Sequence, residues 1–394
     1  MLSEVPRVGS GLPLWRLAFR PFFLAGALFA VATITLWAAY LYGWLPSWTP
    51  AGGGVSWHRH EMPFGFVSAI VAGFLLTAVQ TWTGRPGLSG KPLVGLFLLW
   101  LVARLAWFVA MPVPLLALLQ LPFLPVLAWL LGRQLIAVRQ RHNYPLILVL
   151  ALLASCQLLS LYGLVGDNDE LQRRGALAAL WMIAALVGVI GGRVIPFFTQ
   201  RGLQRPQPFA AHPLKDRLVL LASIAIAVLT AAGLNQSPLP WLAPLFLLVA
   251  ILHGWRLWRW RDRRIWAVPL LWSLHVAYGW LLLAASGMAL WHLGWLPQAS
   301  LASHALAVGA MGGLILAMLA RVSLGHTGRP LQPPAAINLA FIALHAGAFC
   351  RVVLTPLCSA GLWLSALLWV LAFSIFLWHY ALFFLRPRVD GLPG

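Results

Sequence analysis

The run Trp57-His58-Arg59-His60-Glu61-Met62-Pro63-Phe64-Gly65 puts two imidazoles and a carboxylate where a loop passes into a long apolar stretch. Ionisable groups at a bilayer boundary are costly unless they pair with, bind or transfer something. Imidazole suits zinc, copper and iron, and haem iron takes axial histidines. A second segment, from His304 to Pro330, shares the spacing. His60 and His304 each stand five residues before a glycine (Gly65, Gly309) and 23 before a Thr-Gly-Arg-Pro tetrapeptide, at a common offset of 244. The expected pairing is His58 or His60 with His304 around a metal or haem b. On a helix His58 and Glu61 share a face, whereas His58 and His60 diverge by about 200°. Both reach one metal only if the helix is frayed or starts later, and Pro63 gives a reason for a late start. Otherwise one is a ligand and the other supports it or belongs to a separate site.

These residues need spans to hold them. The chain has 394 residues, 61% hydrophobic and 9% charged, with a mean hydropathy of +0.86. Soluble domains carry about 25% charged residues, so a polytopic membrane protein is expected. The net charge of +19 alternates with apolar runs and forms no single patch, which argues for topology and against a nucleic-acid partner. The first apolar run is long enough to span and follows Arg7, Arg16 and Arg20, so no cleavable signal peptide is expected. Cys156, Cys350 and Cys358 have no C-x-x-C spacing and read as small apolar fillers.

At ~20 apolar residues per helix, twelve transmembrane helices are expected in one all-α domain over 1–394. They run near 21–43, 58–82, 92–110, 113–138, 145–165, 175–198, 214–234, 238–256, 266–291, 299–323, 333–355 and 360–384. Of the 27 Lys and Arg, Arg59, Arg173 and Arg174 fall on the His58 side and Arg104 and Arg351 inside spans. All the others fall opposite, which puts both termini in the cytoplasm and the His58 cluster on the outer face. Trp37, Trp44, Trp48, Trp57, Trp291 and Trp295 read as an interfacial belt there. Thr199-Gln200-Arg201 after Gly191-Gly192-Arg193 reads as a weaker third copy of the spacing, so three four-helix repeats are a reasonable arrangement. The glycines of spans 2, 6 and 10 allow close helix contact.

Depth sorts the histidines. His142, His212, His292 and His379 read as rings facing solvent or headgroups. His304 lies near the outer end of span 10, with His345 and His275 progressively deeper. Arg104 and Arg351 share the outer layer and suit haem propionates through bidentate contacts. Glu61 either pairs an arginine or donates protons from the outer face, the candidate catalytic role.

Several runs resemble the NnrS family. They are Trp57 to Phe66 (W-H-x-H-E-M-x-F-G-F), Gly73 to Val79, Trp82-Thr83-Gly84, Gly191 to Thr199, Leu274 to Tyr278 and Arg321 to Leu331, and the likeness covers about residues 15 to 385. It implies a bacterial inner-membrane protein carrying haem, with copper as a second metal, tied to nitric-oxide metabolism in denitrification or nitrosative stress. It also implies that His58, His60, Glu61, His275, His304 and His326, with Arg193 and Arg321, are the polar site residues, without saying which histidines ligate iron and which copper. His326 lies about 33 Å along one helix from His304. It therefore serves either a second site with His253 or His275, or the helix end beside Gly325. Two functions compete. One is a haem protein that binds, senses or reduces nitric oxide with electrons from an unidentified donor. The other is a transporter or export factor for copper or haem.

Overall fold

The computed structural model describes residues 12–392, so Arg7, one charge in the orientation argument, lies outside the described residues. The long helices are α1 Phe19–Leu41, α2 Gly53–Thr83, α3 Gly90–Ala106, α4 Val113–Ala137, α5 Arg141–Val165 and α6 Asp169–Gly202. They continue as α7 Pro213–Ala231, α8 Pro240–Trp260, α9 Pro269–His292, α10 Ala299–His326, α11 Ala335–Leu354 and α12 Ala360–Leu385. Among the described residues there is no strand, and ten of these helices are long and apolar enough to cross a membrane. The chain is thus an all-helical, multi-pass membrane protein.

Two expected spans stand outside the ten. The 17 residues of α3 rise about 25 Å, short of a ~30 Å hydrocarbon core. The first turn of α7 carries Lys215, Asp216 and Arg217, which leaves a shorter apolar stretch behind them.

Consecutive helices pack side by side, and α12 returns to α1. Arg20 of α1 closes that junction, donating from Nη1 to the carbonyls of Phe383 (3.1 Å), Phe384 (3.0 Å) and Arg386 (2.8 Å) at the end of α12. Those carbonyls lack intrahelical partners, and a guanidinium satisfies several at once. Inside this closed circuit stand α2, α6 and α10, whose most apolar stretches are 83%, 67% and 83% buried, against 33–56% for the other spanning helices.

Glycine makes the interior tight. Apolar burial gives helices no driving force to associate in lipid, so close backbone approach and van der Waals contact take over. A Cβ on Gly309 would lie 2.4 Å from the Trp280 ring, on Gly312 2.5 Å from Trp369, and on Gly73 2.8 Å from Phe23. These glycines accept neighbouring side chains and do not line a pore.

Three helices depart from α geometry at the same end of the bundle. Glu61–Val67 of α2, Ala305–Gly312 of α10 and Cys350–Leu354 of α11 are π-helical. The first two begin 244 residues apart, the offset already seen in sequence. The same offset relates the left-handed glycines that end α2 and follow α10, Gly84 (φ +67°) and Gly328 (φ +76°). Pro63 explains the widening in α2, because it has no N–H for the preceding turn. The Ser68 hydroxyl takes up the Pro63 carbonyl at 3.0 Å. Of the two alternatives left open for this helix, the late start is excluded: α2 begins at Gly53, ten residues before the proline. No π segment interrupts α6, which runs as one α-helix with Pro196 inside it.

Candidate cofactor site at the His58 end

His58 and His60 leave α2 in different directions, as the helical angle requires. The His58 ring stacks on Trp37 of α1, centroids 4.6 Å apart and planes 14° from parallel. Arg351 of α11 and His304 of α10 lie within electrostatic range of it. The His58 Nδ1 is buried and has no protein partner. His304 donates from Nδ1 to the Ser300 carbonyl (2.7 Å), which leaves the Nε2 lone pair for Arg351, whose Nη2 stands 3.3 Å away. A ring fixed through Nδ1–H with a bare Nε2 is the tautomer that binds metals. Arg351 is half-buried and forms no ion pair with a carboxylate among the described residues. Two imidazoles and a cation without a counter-charge therefore lie within electrostatic range of one another where the π segments of α10 and α11 begin.

His60 belongs to a separate, charge-paired network, although its own Nε2 is buried without a protein partner. Its Nδ1 stands 2.9 Å from Glu61 Oε1. The same oxygen accepts from Arg104 Nη1 at 2.6 Å and from Trp107 Nε1 at 2.8 Å. Arg104 also donates to Gln120 Oε1, and Gln120 in turn donates to the Ala103 carbonyl at 2.6 Å. Glu61 is fully buried, while its Oε2 has no protein partner. The widened turn leaves room for this: a Cβ on Gly65 would fall 2.5 Å from Arg104 Nη1. Arg104 is therefore committed to Glu61, which corrects its expected role as a free propionate partner. Trp107 and Gln120 were missed from sequence. Trp107 was legible, since it stands three residues after Arg104 on the same helical face. Gln120, arriving from α4, was not.

The remaining expected residues lie elsewhere. Arg321 sits 17 residues past His304, about 25 Å along α10, with its guanidinium 3.9 Å from the Phe198 ring centroid. Arg193 holds the turn before α5, donating to Asn143 Oδ1 (2.5 Å) and the His142 carbonyl (2.9 Å). One compact group cannot touch His304 and either arginine, so the site at the His58 end excludes both. His326 packs against Phe19 with centroids 5.5 Å apart, and its carbonyl accepts from Arg388 (3.2 Å). These contacts join the α1–α12 junction, away from His253. His275 donates from Nδ1 to the Leu271 carbonyl (2.9 Å) and keeps a buried, unpartnered Nε2.

Several smaller readings change. His292 is fully buried, accepts from the Leu239 N–H at 3.0 Å and stacks on Phe246, so it caps the start of α8 and is not a solvated ring. Trp57 and Trp291 are buried and drop out of the expected belt, while Trp44 and Trp295 stay exposed. Cys156 and Cys350 are buried fillers, but Cys358 is exposed in the turn before α12.

At the opposite end lies a network the sequence did not disclose. His253 Nδ1 meets the Tyr278 hydroxyl at 2.7 Å. Arg256 donates to that hydroxyl (3.0 Å), to the Gly188 carbonyl (2.8 Å) and to Asp216. Nearby, Arg264 hydrogen-bonds the Asp262 carboxylate and holds it well below the usual carboxylate range.

For metals, no group of three or more His, Cys, Asp or Glu side chains converges among the described residues. A copper centre of that kind has no ready ligand set. A haem needs less: two opposed imidazoles and a cation for its propionates. His58, His304 and Arg351 would offer donors of these types, through the unpartnered His58 Nδ1 and the His304 Nε2 that Arg351 faces.

The fold and this site define a multi-pass helical membrane protein with two half-buried imidazoles near an arginine that no carboxylate neutralises among the described residues. The family model described as NnrS protein matches residues 13–388, nearly the whole chain, and the protein belongs to the NnrS family. Comparison with curated proteins gives no match.

Proposed function

We propose that the protein is an inner-membrane haem b protein that binds nitric oxide, in which His58 and His304 would hold the haem and Arg351 would partner a propionate. The observation that carries this is the contact of His304 with Arg351, a cation without a carboxylate partner among the described residues, with His58 in electrostatic range. A haem held there would supply an iron to which nitric oxide coordinates. The chain's own residues do the rest. The Ser300 carbonyl fixes the His304 tautomer, the Trp37 face holds the His58 ring, and Arg59, bonded to Asp169 (2.8 Å) and Gln172 (2.6 Å), ties α2 to α6 beneath them. Two histidines holding one haem would suit electron transfer or sensing, and the gas would bind only where one of them gives up its position.

The twelve-span, threefold reading belongs to the same proposal. Its support is that the three inner helices stand four apart in sequence, with a common offset in two of them. The charge bias puts both termini in the cytoplasm and the haem site in the outer leaflet. Glu61, bonded to His60, Arg104 and Trp107, serves this reading as scaffold rather than as a proton donor. A copper or haem transporter draws less support, because the centre between the inner helices is apolar.

The test is a reduced-minus-oxidised spectrum of the purified protein with and without nitric oxide. Stoichiometric haem b whose bands shift with the gas is expected, and a colourless preparation refutes the reading.

A further inference from the structure

Between the three inner helices lies a cavity of about 90 Å³, walled by sixteen residues, none of them polar. Val67 closes the π segment of α2 and Met311 nearly closes that of α10, and both form part of the wall. His58 stands nine residues before Val67 on α2 and His304 seven before Met311 on α10, so the cavity lies about 10–14 Å further along these helices than the imidazoles. Leu186 and Val187 of α6, Leu274 of α9 and Phe23 of α1 add to the wall, which is open on one part where Phe74, Ile190 and Val194 are only half-buried. Phe74, Ile190 and Val194 also line a second, more polar cleft that reaches Arg193 and Asn143 at the far end of the bundle.

Volume and polarity decide the occupant. An apolar cavity of roughly 150 Å³ stays dry and takes benzene or xenon, because water needs two or more polar partners. This one is smaller and offers none. It excludes a tetrapyrrole or a quinone ring by size and water by chemistry, and it admits a diatomic molecule or a single heavy gas atom.

We propose that this cavity is a docking chamber for a small apolar gas, set further along the helices that carry His58 and His304. That the gas is nitric oxide rests on the haem reading; that the chamber takes an apolar gas does not.

The probe is xenon. A structure determined under xenon pressure should show the atom between Val67, Val187 and Met311. Val187→Phe, which fills the space from α6, should abolish that density. Ile315→Phe fills it from α10 and guards against a folding failure of the first variant. Water or an acyl chain in the chamber, or undiminished xenon in both filled variants, overturns the proposal. In haem-loaded protein the same variants should slow nitric-oxide association about tenfold, within the range on-rates span among variants of one site, with the bound-state spectrum unchanged. An unchanged rate removes the chamber from the path to the site. Xenon uptake by a protein that holds no haem would refute the haem reading and leave the chamber standing.

Discussion

His58 and His60 are two residues apart on one helix, yet their surroundings are opposites. His60 faces a closed circuit in which Glu61 and Arg104 neutralise each other and Trp107 and Gln120 take up further hydrogen bonds. His58 faces an open one, where Arg351 has only an imidazole beside it. Within membranes a charge is normally matched, because the low dielectric makes an unpaired one costly. The unmatched corner is therefore the one to which the proposed haem is assigned, and the matched corner holds α2 against α3.

Breaking the closed circuit should have the largest effect. Glu61→Gln leaves Arg104 buried without its counter-charge, and losing one partner of a buried pair costs about 3–5 kcal/mol. Thermal unfolding in detergent should show that loss, and the double variant Glu61→Gln, Arg104→Gln should recover much of it. A double variant no better than the single would mean that the carboxylate acts outside the pair. Next comes Gly309→Ala, whose Cβ would meet the Trp280 ring. Overpacking of this kind costs about 1–3 kcal/mol, and the same unfolding assay reads it.

The open circuit should respond differently. Arg351→Gln removes a cation that no carboxylate balances, so stability should change by less than about 1 kcal/mol, as for substitutions away from a buried network. Haem retention, measured as absorbance per protein, should fall. A large stability loss without a change in haem would make Arg351 scaffold as well. The smallest effect is in the loop before α9. Arg264 holds Asp262 below the ordinary carboxylate pKa, so its contribution is present above about pH 4, the unfolded value. It is lost only as the pH falls through the lower folded value. Asp262→Asn should therefore lose a slight stabilisation at pH 7 and match the parent protein at strongly acidic pH, read by unfolding midpoints at the two values.

Much of this was legible in the residues, and the reasons are physical. Hydropathy over ~20 residues located the spanning helices because a bilayer of fixed thickness demands that length. The common offset of His60 and His304 reappeared as two π segments beginning at the same offset, since both spacings come from the same helix geometry. The helical angle between His58 and His60 correctly separated them. What stayed hidden depends on contacts between distant segments. Nothing local marks Gln120 as the partner of Arg104, or Asp216 and Tyr278 as partners of Arg256. The burial of His292 was missed because a position near a helix end does not say which neighbour covers it. The π segment in α10 has no proline to betray it, only alanine and glycine.

The central claim is that His58 and His304, and not His60, grip the haem. Measuring haem b per protein in His58→Ala, His304→Ala and His60→Ala tests it most directly. Loss of haem in the first two with retention in the third is the predicted result. Full haem in both His58→Ala and His304→Ala, or its loss only in His60→Ala, would contradict the account.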